Sequence, residues 1–521
     1  ILAKAAQASH KKAGSAFRPS SGRSSSSPPI TAMDSSDTVA VAQQLSTRGH
    51  KAGTYKTFEG LQERFRSAQA RDVIWAVLFW LHFAGFAGYV GYRASAILAN
   101  KMEGMQLEYD VVTGYFPVLF IASGFAMLFA CVWTLLLKNF PRLVVYTAAL
   151  VPPALLLAGC IMAALGGAVP QAAMLGFGLA CNLVYLWCIW EKLDFTAMLL
   201  QVTTCVMQKF YGMIVVTLMS LVPGVIVIFL YLLAFAIIKH DVEDNTGSRA
   251  EGKGLAVLTA FSFYWTWAVL GNVVHTTICG AMGRWYFLAE EQSVTAPALR
   301  QSMTSSFGPI ALGSGIMALV KTLKLLINIA RQNAEDSDNP VGLLVACILS
   351  CIVSCIESML EFISTYAFVY VAFYGASFCE GASESFKLLR ETGLEMVVTY
   401  DLSSSVSFLG SLVGAGCTGL ATKAVLLLHG PWLLPGGHSG NDSGLQAAYI
   451  GFGVLVGMAA VLVVSSVVES GACSLLVAFA EEPGVLRERH PELDAKIEQL
   501  QGNRQPNGTD EEAQQARPVG P

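Results

Sequence analysis

Apolar runs long enough to cross a bilayer recur ten times along this chain. A membrane-spanning helix needs about 20 predominantly apolar residues. Only 13% of the 521 residues are charged, whereas a soluble chain would carry about a quarter. The sequence therefore predicts an all-α polytopic membrane protein with about ten transmembrane helices. The predicted runs are 73–98, 116–137, 143–166, 171–190, 213–238, 255–287, 305–330, 341–363, 404–428 and 446–480.

The composition divides the chain into three parts. Residues 1–70 are rich in Ser, Ala and Pro, which predicts a disordered cytoplasmic tail. Residues 71–480 hold the apolar runs and form the predicted membrane domain, and residues 481–521 form a second tail. The amphipathic stretches 194–210 and 366–390 do not fit the count of spans. They are predicted to be interfacial or re-entrant helices, which are allowed where they line protein or water.

The charges outside the runs predict an orientation. An even number of spans places both ends on one side, and basic residues concentrate there, at Lys138, Arg142, Lys192, Arg284, Arg300, Lys387, Arg390, Arg487 and Arg489. The positive-inside rule then puts both termini in the cytoplasm. A glycosylation sequon begins at Asn441 in a predicted outer loop. We expect a glycosylated multi-pass protein of the plasma membrane, surrounded by lipid.

The eighth run carries acids without a neighbouring base. Glu357 and Glu361 lie within 341–378, a stretch that contains no Lys or Arg. With Ser350 and Ser354 they follow helical spacing and share one face. An acid at bilayer depth usually faces a cavity or an ion path. The pattern predicts an acidic stripe that suits a small organic cation.

The sixth run combines aromatic and polar residues. Trp265, Asn272 and Thr276 share one helical face, with His275 at its edge. Indole and phenol rings attract quaternary ammonium groups. Trp265 is therefore a candidate cation ligand, or else a member of the interfacial aromatic belt. Asn272 and His275 either bind substrate or join helices by hydrogen bonds.

Tyrosines continue beyond the acids of the eighth run. Tyr366, Tyr370 and Tyr374 repeat at four-residue spacing, which predicts either one wall of an aromatic cage or a packing face. Glu469 in the tenth run, within SSVVESGA, is another candidate for a buried acid.

The seventh run holds two lysines. Lys321 and Lys324 are predicted either to be counter-ions of Glu357 or Glu469, or to extend to the interface. A helix break is predicted within 307–315, near Ser314 and Gly315.

The sequence lacks the motifs of soluble catalysis. We find no phosphate-binding Walker loop, no GxSxG and no HExxH. The twelve cysteines form no CxxC pair and no cluster with histidine, so no metal site is predicted. The net charge of −4 implies no nucleic acid. We expect no cofactor and no enzyme, and the sequence leaves the oligomeric state open.

Several blocks resemble one known family. FSFYWTW and GAMGRWYF (261–267 and 280–287), SSFGPIALGSGIMALVKTLK (305–324) and YAFVYVAFYGASFCEGASESFKLL (366–389) are similar to the choline transporter-like proteins. The ending AEEPGVLRERHPELDAKI (480–497) resembles their fungal "pH nine-sensitive" branch. Departures are Ser364 where the family often has Asn, Phe368 where it has Tyr, and a short first outer loop.

The resemblance implies ten spans with both termini cytosolic. It also implies sodium-independent movement of choline, or in some members ethanolamine, with exchange for protons as one option. By position, the family motifs correspond to Trp265, Gly280, Trp285, Tyr286, Glu357, Ala367, Tyr374, Gly375 and Phe378.

Our hypothesis from the sequence is a secondary transporter of a choline-like cation. Glu357 would neutralise the ammonium, with Trp265 and either Tyr366 or Tyr374 as cation–π partners. Glu361, Asn272 and His275 are further candidates for substrate binding. The candidates for proton coupling are Glu357, Glu469 and His275. The alternatives are a channel or lipid-handling protein with structural acids, and a membrane regulator without transport.

Overall fold

A computed structural model describes most of the chain. The described residues are 69–101, 109–243, 249–288, 293–337, 339–433 and 443–482, together with 484, 485 and 491. The predicted glycosylation site at Asn441 and nearly all of both predicted tails lie outside them.

The described part is almost entirely helical and contains no strand. Its fourteen α-helices are α1 Val73–Lys101, α2 Tyr109–Asn139, α3 Pro141–Leu165, α4 Val169–Ile189, α5 Leu193–Lys209, α6 Gly212–Met219, α7 Leu221–Glu243, α8 Arg249–Gly283, α9 Thr295–Met303, α10 Phe307–Asp336, α11 Pro340–Tyr374, α12 Phe378–Thr392, α13 Leu394–Leu433 and α14 Ser443–Glu481. A 3₁₀ turn, Trp190–Lys192, joins α4 to α5, and a π-helical turn, Arg284–Leu288, follows α8.

Within the described part, ten segments are long and apolar enough to cross a membrane, which confirms the predicted count. Seven of them are single helices: α1, α2, α3, α10, α11, α13 and α14. The others join α4 to α5 (Val169–Lys209), α6 to α7 (Gly212–Lys239), and α8 to its π-helical turn (Gly254–Leu288).

Helix α11 corrects the predicted end of the eighth run. The sequence places residues 366–374 in a separate amphipathic segment, but α11 continues through them to Tyr374. A tyrosine in this stretch can be buried because its hydroxyl finds an acceptor: Tyr366 donates to the Met396 carbonyl at 3.0 Å. Gly375 ends the helix in the left-handed conformation (φ 57°), which glycine adopts without a side-chain clash. Only α12 is a separate amphipathic helix, and Ser377 caps its first turn.

Helix α10 corrects a second prediction. It runs unbroken from Phe307 to Asp336, with no interruption at 307–315. The small residues there permit close packing instead, because a Cβ on Gly313 would clash with the Phe378 ring. A Cβ on Gly315 would lie 3.3 Å from the Trp265 indole nitrogen.

Helix α5, the other stretch excluded from the sequence count, packs inside the protein. Eleven of its seventeen residues are buried. Gly471 of α14 lets it approach, because a Cβ there would clash with the Thr203 methyl group. The amphipathic pattern of α5 thus reflects polar residues that pack among helices.

The two ends of the membrane segment meet the same layer of helices. Asp72, just before α1, accepts a hydrogen bond of 3.0 Å from the Phe378 amide at the start of α12. Glu481, at the end of α14, accepts one of 2.6 Å from the Tyr370 hydroxyl near the end of α11. We call this side of the bundle the tail side, and the opposite side the far side.

Packing is uneven along the bundle. In α11, only Ala346 and Val353 are buried in the far-side part, whereas nearly every residue from Ile363 to Tyr374 is buried. In α8 and the π-helical turn that follows it, every residue from Thr276 to Phe287 is likewise buried. The tail side is therefore closed by packed side chains, whereas α11 is less buried towards the far side.

Candidate functional site

Both acids of α11 face lysines of the preceding helix. Lys324 Nζ lies 2.5 Å from Glu357 Oε2, and Lys321 Nζ lies 3.8 Å from Glu361 Oε1. Lys324 is thus a counter-ion of Glu357, one of the two alternatives predicted for it, whereas Lys321 pairs with Glu361, which was not predicted. The reason is topological: α10 and α11 form an antiparallel hairpin, which brings together charges far apart in sequence.

The ion pair changes what Glu357 can do. Its side chain is only 15% exposed, and one carboxylate oxygen is already occupied by an ammonium group. Along α11, Tyr366 lies about 14 Å from it and Tyr374 about 25 Å, at 1.5 Å rise per residue. The structure does not gather the predicted cage of Glu357, Trp265 and a tyrosine at one place.

Trp265 is a packing residue in this structure. Its indole N–H donates to the Ala311 carbonyl at 2.9 Å, which fixes α8 against α10. The ring stacks on His82 with centroids 4.9 Å apart and meets Phe79 edge-on at 5.5 Å. Tyr366 and Tyr374 belong to a separate buried cluster, so Trp265 does not join them.

Asn272 links the same two helices. Its side-chain amide donates to the Ser314 hydroxyl at 2.9 Å, and Ser314 is fully buried. Between the two roles open to Asn272, the geometry favours a hydrogen bond that joins helices.

His275 joins three helices. Its Nε2 lies 3.0 Å from the Thr365 carbonyl of α11, and its Nδ1 lies 2.8 Å from the Ser470 hydroxyl of α14. A carbonyl only accepts, so Nε2 must carry the proton of that bond. In the neutral ring Nδ1 then accepts from Ser470, which leaves both nitrogens satisfied.

Glu469 is the candidate acid that has no basic partner among the described residues. Ser404 of α13 donates to its Oε1 at 2.7 Å. In the part of the chain that the structure describes, no Lys or Arg forms an ion pair with this carboxylate. Glu361 lies close enough for its charge to act on Glu469. A partly buried carboxylate with this environment is a ready binding group for a cation.

One aromatic ring lies near this carboxylate, and a second packs against that ring. The Tyr400 phenol lies within electrostatic reach of both Glu361 and Glu469. Phe362 packs edge-on against Tyr400 and against Tyr366, each at 5.3 Å between centroids. Tyr366 is fully buried beneath them. We call Glu361, Phe362, Tyr400, Ser404 and Glu469 the acidic pocket.

The acidic pocket lies near the middle of the bundle. Glu469 precedes the end of α14 by twelve residues, or about 18 Å along the helix. Glu361 precedes the end of α11 by thirteen residues, or about 20 Å. Both depths fall within a hydrocarbon core about 30 Å thick.

Sequence reasoning missed three members of this pocket. Tyr400 and Ser404 are four residues apart, so they share a face of α13. They lie in the polar stretch 399–407 at the start of the ninth run, and a tyrosine and a serine on one face there are the signal that marks them. Phe362 gives no such signal, because nothing distinguishes it from the other phenylalanines of the membrane helices.

The pocket is sealed towards the tail side. Below it, Tyr370 bonds to Glu481, and the Tyr286 hydroxyl donates to the Glu482 carbonyl at 3.0 Å. Gln301 of α9 donates to the Ala372 carbonyl at 3.1 Å. These contacts join α8, α9, α11 and the end of α14 into one closed layer.

The described residues contain no group of three or more His, Cys, Asp or Glu side chains that could hold a metal ion. The candidate residues of the interior take part in helix-joining hydrogen bonds, in two ion pairs and in the acidic pocket. Ten spanning segments in the described part, with an acid at mid-depth, define a multi-pass membrane protein.

Comparison with known proteins identifies the family. The profile of the plasma-membrane choline transporter family matches residues 174–484, and the chain belongs to this family. Membership in a transporter family implies transport rather than catalysis. The matched region contains every residue of the acidic pocket.

Fungal relatives extend the likeness over most of the chain. A protein named PNS1 from Gibberella zeae is 28% identical over 483 residues, covering 86% of this chain and 85% of its own length. PNS1 from Mycosarcoma maydis is 26% identical over 468 residues, covering 85% of each chain. PNS1 from Neurospora crassa is 29% identical over 332 residues, covering 61% of this chain and 58% of its own length.

Proposed function

We propose that this protein is a secondary transporter of choline or a related small organic cation such as ethanolamine. The observation that carries the proposal is Glu469, a carboxylate at mid-depth that has no basic partner among the described residues. Its donor Ser404 lies one helical turn from Tyr400, whose ring packs against Phe362. Membership in the choline transporter family supports the same substrate class.

The chemistry of the acidic pocket suits an ammonium group. Glu469 supplies the opposite charge, and its Ser404 hydrogen bond fixes one oxygen and leaves lone pairs for a ligand. Tyr400 and Phe362 supply ring faces, each worth about 2 kcal/mol where water is excluded. In this proposal Glu469 takes the role that the sequence assigns to Glu357, because the ion pair with Lys324 already neutralises Glu357.

Transport would follow from alternating access. Packed side chains close the tail side of the pocket, so cation would enter from the far side in this state. Opening the tail side requires separation of α11 from the end of α14, where Tyr370 meets Glu481. We place the tail side in the cytoplasm, as the charge pattern predicts, and the protein in the plasma membrane.

We propose two proton sites for the alternative in which the carrier exchanges cation for protons and does not return empty. Glu469 has no basic partner in the described part, so a proton and a cation would compete for it. His275 contacts Ser470, the next residue of α14, so its charge would act on the same pocket. Glu357 is no longer a candidate, because the ammonium group of Lys324 already pairs with it.

The test is uptake of labelled choline into cells that express the protein. Glu469→Gln should reduce uptake to background while surface expression persists. Glu335→Gln is the matched control, because it removes a carboxylate at the exposed far-side end of α10. Normal saturable uptake by Glu469→Gln would remove the acidic pocket from the mechanism. Flux without saturation in the unaltered protein would favour a channel instead.

A further inference from the structure

The two ion pairs between α10 and α11 differ in how tightly they are held. Lys324 and Glu357 are 2.5 Å apart, and the carboxylate is 15% exposed. Lys321 and Glu361 are 3.8 Å apart, and the carboxylate is 52% exposed. The first pair is a tight structural contact. The second is a loose contact at the edge of the acidic pocket, so Lys321 is free to change partner.

Glu361 connects the loose ion pair to the pocket. Its charge acts on both Glu469 and Tyr400, while its own oxygen faces Lys321. With its groups ionised, the vacant pocket therefore holds two carboxylates and one lysine, a net charge of −1. Binding of one monovalent cation brings that charge to zero.

We propose that Lys321 is the resident counter-ion of the cation site. It keeps the vacant pocket at −1 rather than −2, and so allows the empty carrier to change its open side without bound cation. This inference rests on the proposed transport function. Lys321 is a positioning residue here, since it acts through Glu361 and does not contact the substrate.

The charges predict which step depends on Lys321. In Lys321→Gln the net charge of the vacant pocket is −2. The net charge of its loaded pocket is −1, which equals that of the vacant pocket in the unaltered protein. Loaded reorientation should therefore continue, and vacant reorientation should become slow. Net uptake needs the vacant step, whereas exchange of labelled for unlabelled substrate does not.

The experiment compares net uptake with exchange in vesicles containing the purified protein and choline as the probe. Lys321→Gln should lower net uptake by at least about tenfold relative to exchange, because a unit charge within the pocket has been removed at short range. Lys321→Arg keeps the charge and should keep the normal ratio. Lys324→Gln is the matched control, because it breaks the tight pair and should lower net uptake and exchange together.

Binding gives a second readout that needs no transport. Removal of the competing ammonium should tighten choline binding to detergent-purified Lys321→Gln by several-fold. An unchanged or weaker affinity, or an equal loss of net uptake and exchange, overturns the proposal. If the unaltered protein exchanges choline but Lys321→Gln leaves the ratio of net uptake to exchange unchanged, only the counter-ion role fails. If the unaltered protein neither binds nor exchanges choline, the transport function fails and takes this inference with it.

Discussion

The Tyr370 hydroxyl donates a hydrogen bond of 2.6 Å to the Glu481 carboxylate, and this bond joins α11 to the last turn of α14. It lies directly below the acidic pocket, in the closed layer of the tail side. A hydrogen bond to a charged group contributes about 1.5–3 kcal/mol. We therefore treat this contact as a main stabiliser of the closed tail side.

Tyr370→Phe should weaken that closure while it preserves the ring. We expect a melting temperature lower by a few degrees in detergent, because the carboxylate loses its donor. Tyr211→Phe is the control, since Tyr211 is 68% exposed. Equal melting temperatures for the two variants would show that the bond does not stabilise this state.

Tyr400 should contribute its ring rather than its hydroxyl to substrate binding. Tyr400→Leu should raise the choline concentration for half-maximal uptake by about tenfold or more, given about 2 kcal/mol for a desolvated cation–π contact. Tyr400→Phe should remain close to normal. In competition assays, Tyr400→Leu should lose more affinity for choline than for ethanolamine. If Tyr400→Leu takes up choline with normal affinity, the ring has no part in binding.

Lys324 and Glu357 should stabilise the protein as a pair. Loss of either partner leaves an uncompensated charge, and we expect about 1–3 kcal/mol of destabilisation, less than for a fully buried pair because Lys324 is 36% exposed. The double variant Lys324→Gln with Glu357→Gln should recover much of this loss. The melting temperatures of the two single variants and the double variant measure these losses of stability. Additive losses in the double variant would mean that the two charges act independently.

Gly471 should tolerate no side chain while Thr203 is present. A Cβ at this position would clash with the Thr203 methyl group, so Gly471→Ala should destabilise the contact of α5 with α14 by about 1–3 kcal/mol. Thr203→Ala removes the clashing methyl and should restore stability in the double variant. Gly91→Ala is the control, because a Cβ added at this position of α1 would meet nothing within 4 Å. Expression level and melting temperature decide the outcome.

The spans were predictable because each depends on local composition. Twenty apolar residues determine a spanning helix without reference to any other part of the chain. The end of α11 was not predictable, because burial of Tyr366 and Tyr370 depends on acceptors 30 and 111 residues away. The same holds for the supposed break in α10, where Gly313 and Gly315 are explained by rings of other helices.

The sequence identifies the charged residues of the candidate site but not which of them lie next to one another. Sequence identifies Glu357, Glu361 and Glu469 as acids at membrane depth, and it identifies Lys321 and Lys324 as possible partners. Which acid receives a lysine depends on how α10, α11 and α14 pack, and that is not encoded in any local spacing. Glu469 differs from Glu357 only because its neighbours across the interface are a serine and aromatic rings.

Helix α11 carries Glu361 of the loose ion pair four residues past its midpoint and Tyr370 near its tail-side end, with no kink between them. At 1.5 Å per residue this helix is about 50 Å long, so a tilt of about 10° around its centre moves each end by about 4 Å. Glu361, about 6 Å from the centre, then moves by about 1 Å. Because the helix moves as one body, a change in the Lys321–Glu361 contact and rupture of the Tyr370 bond become parts of a single motion.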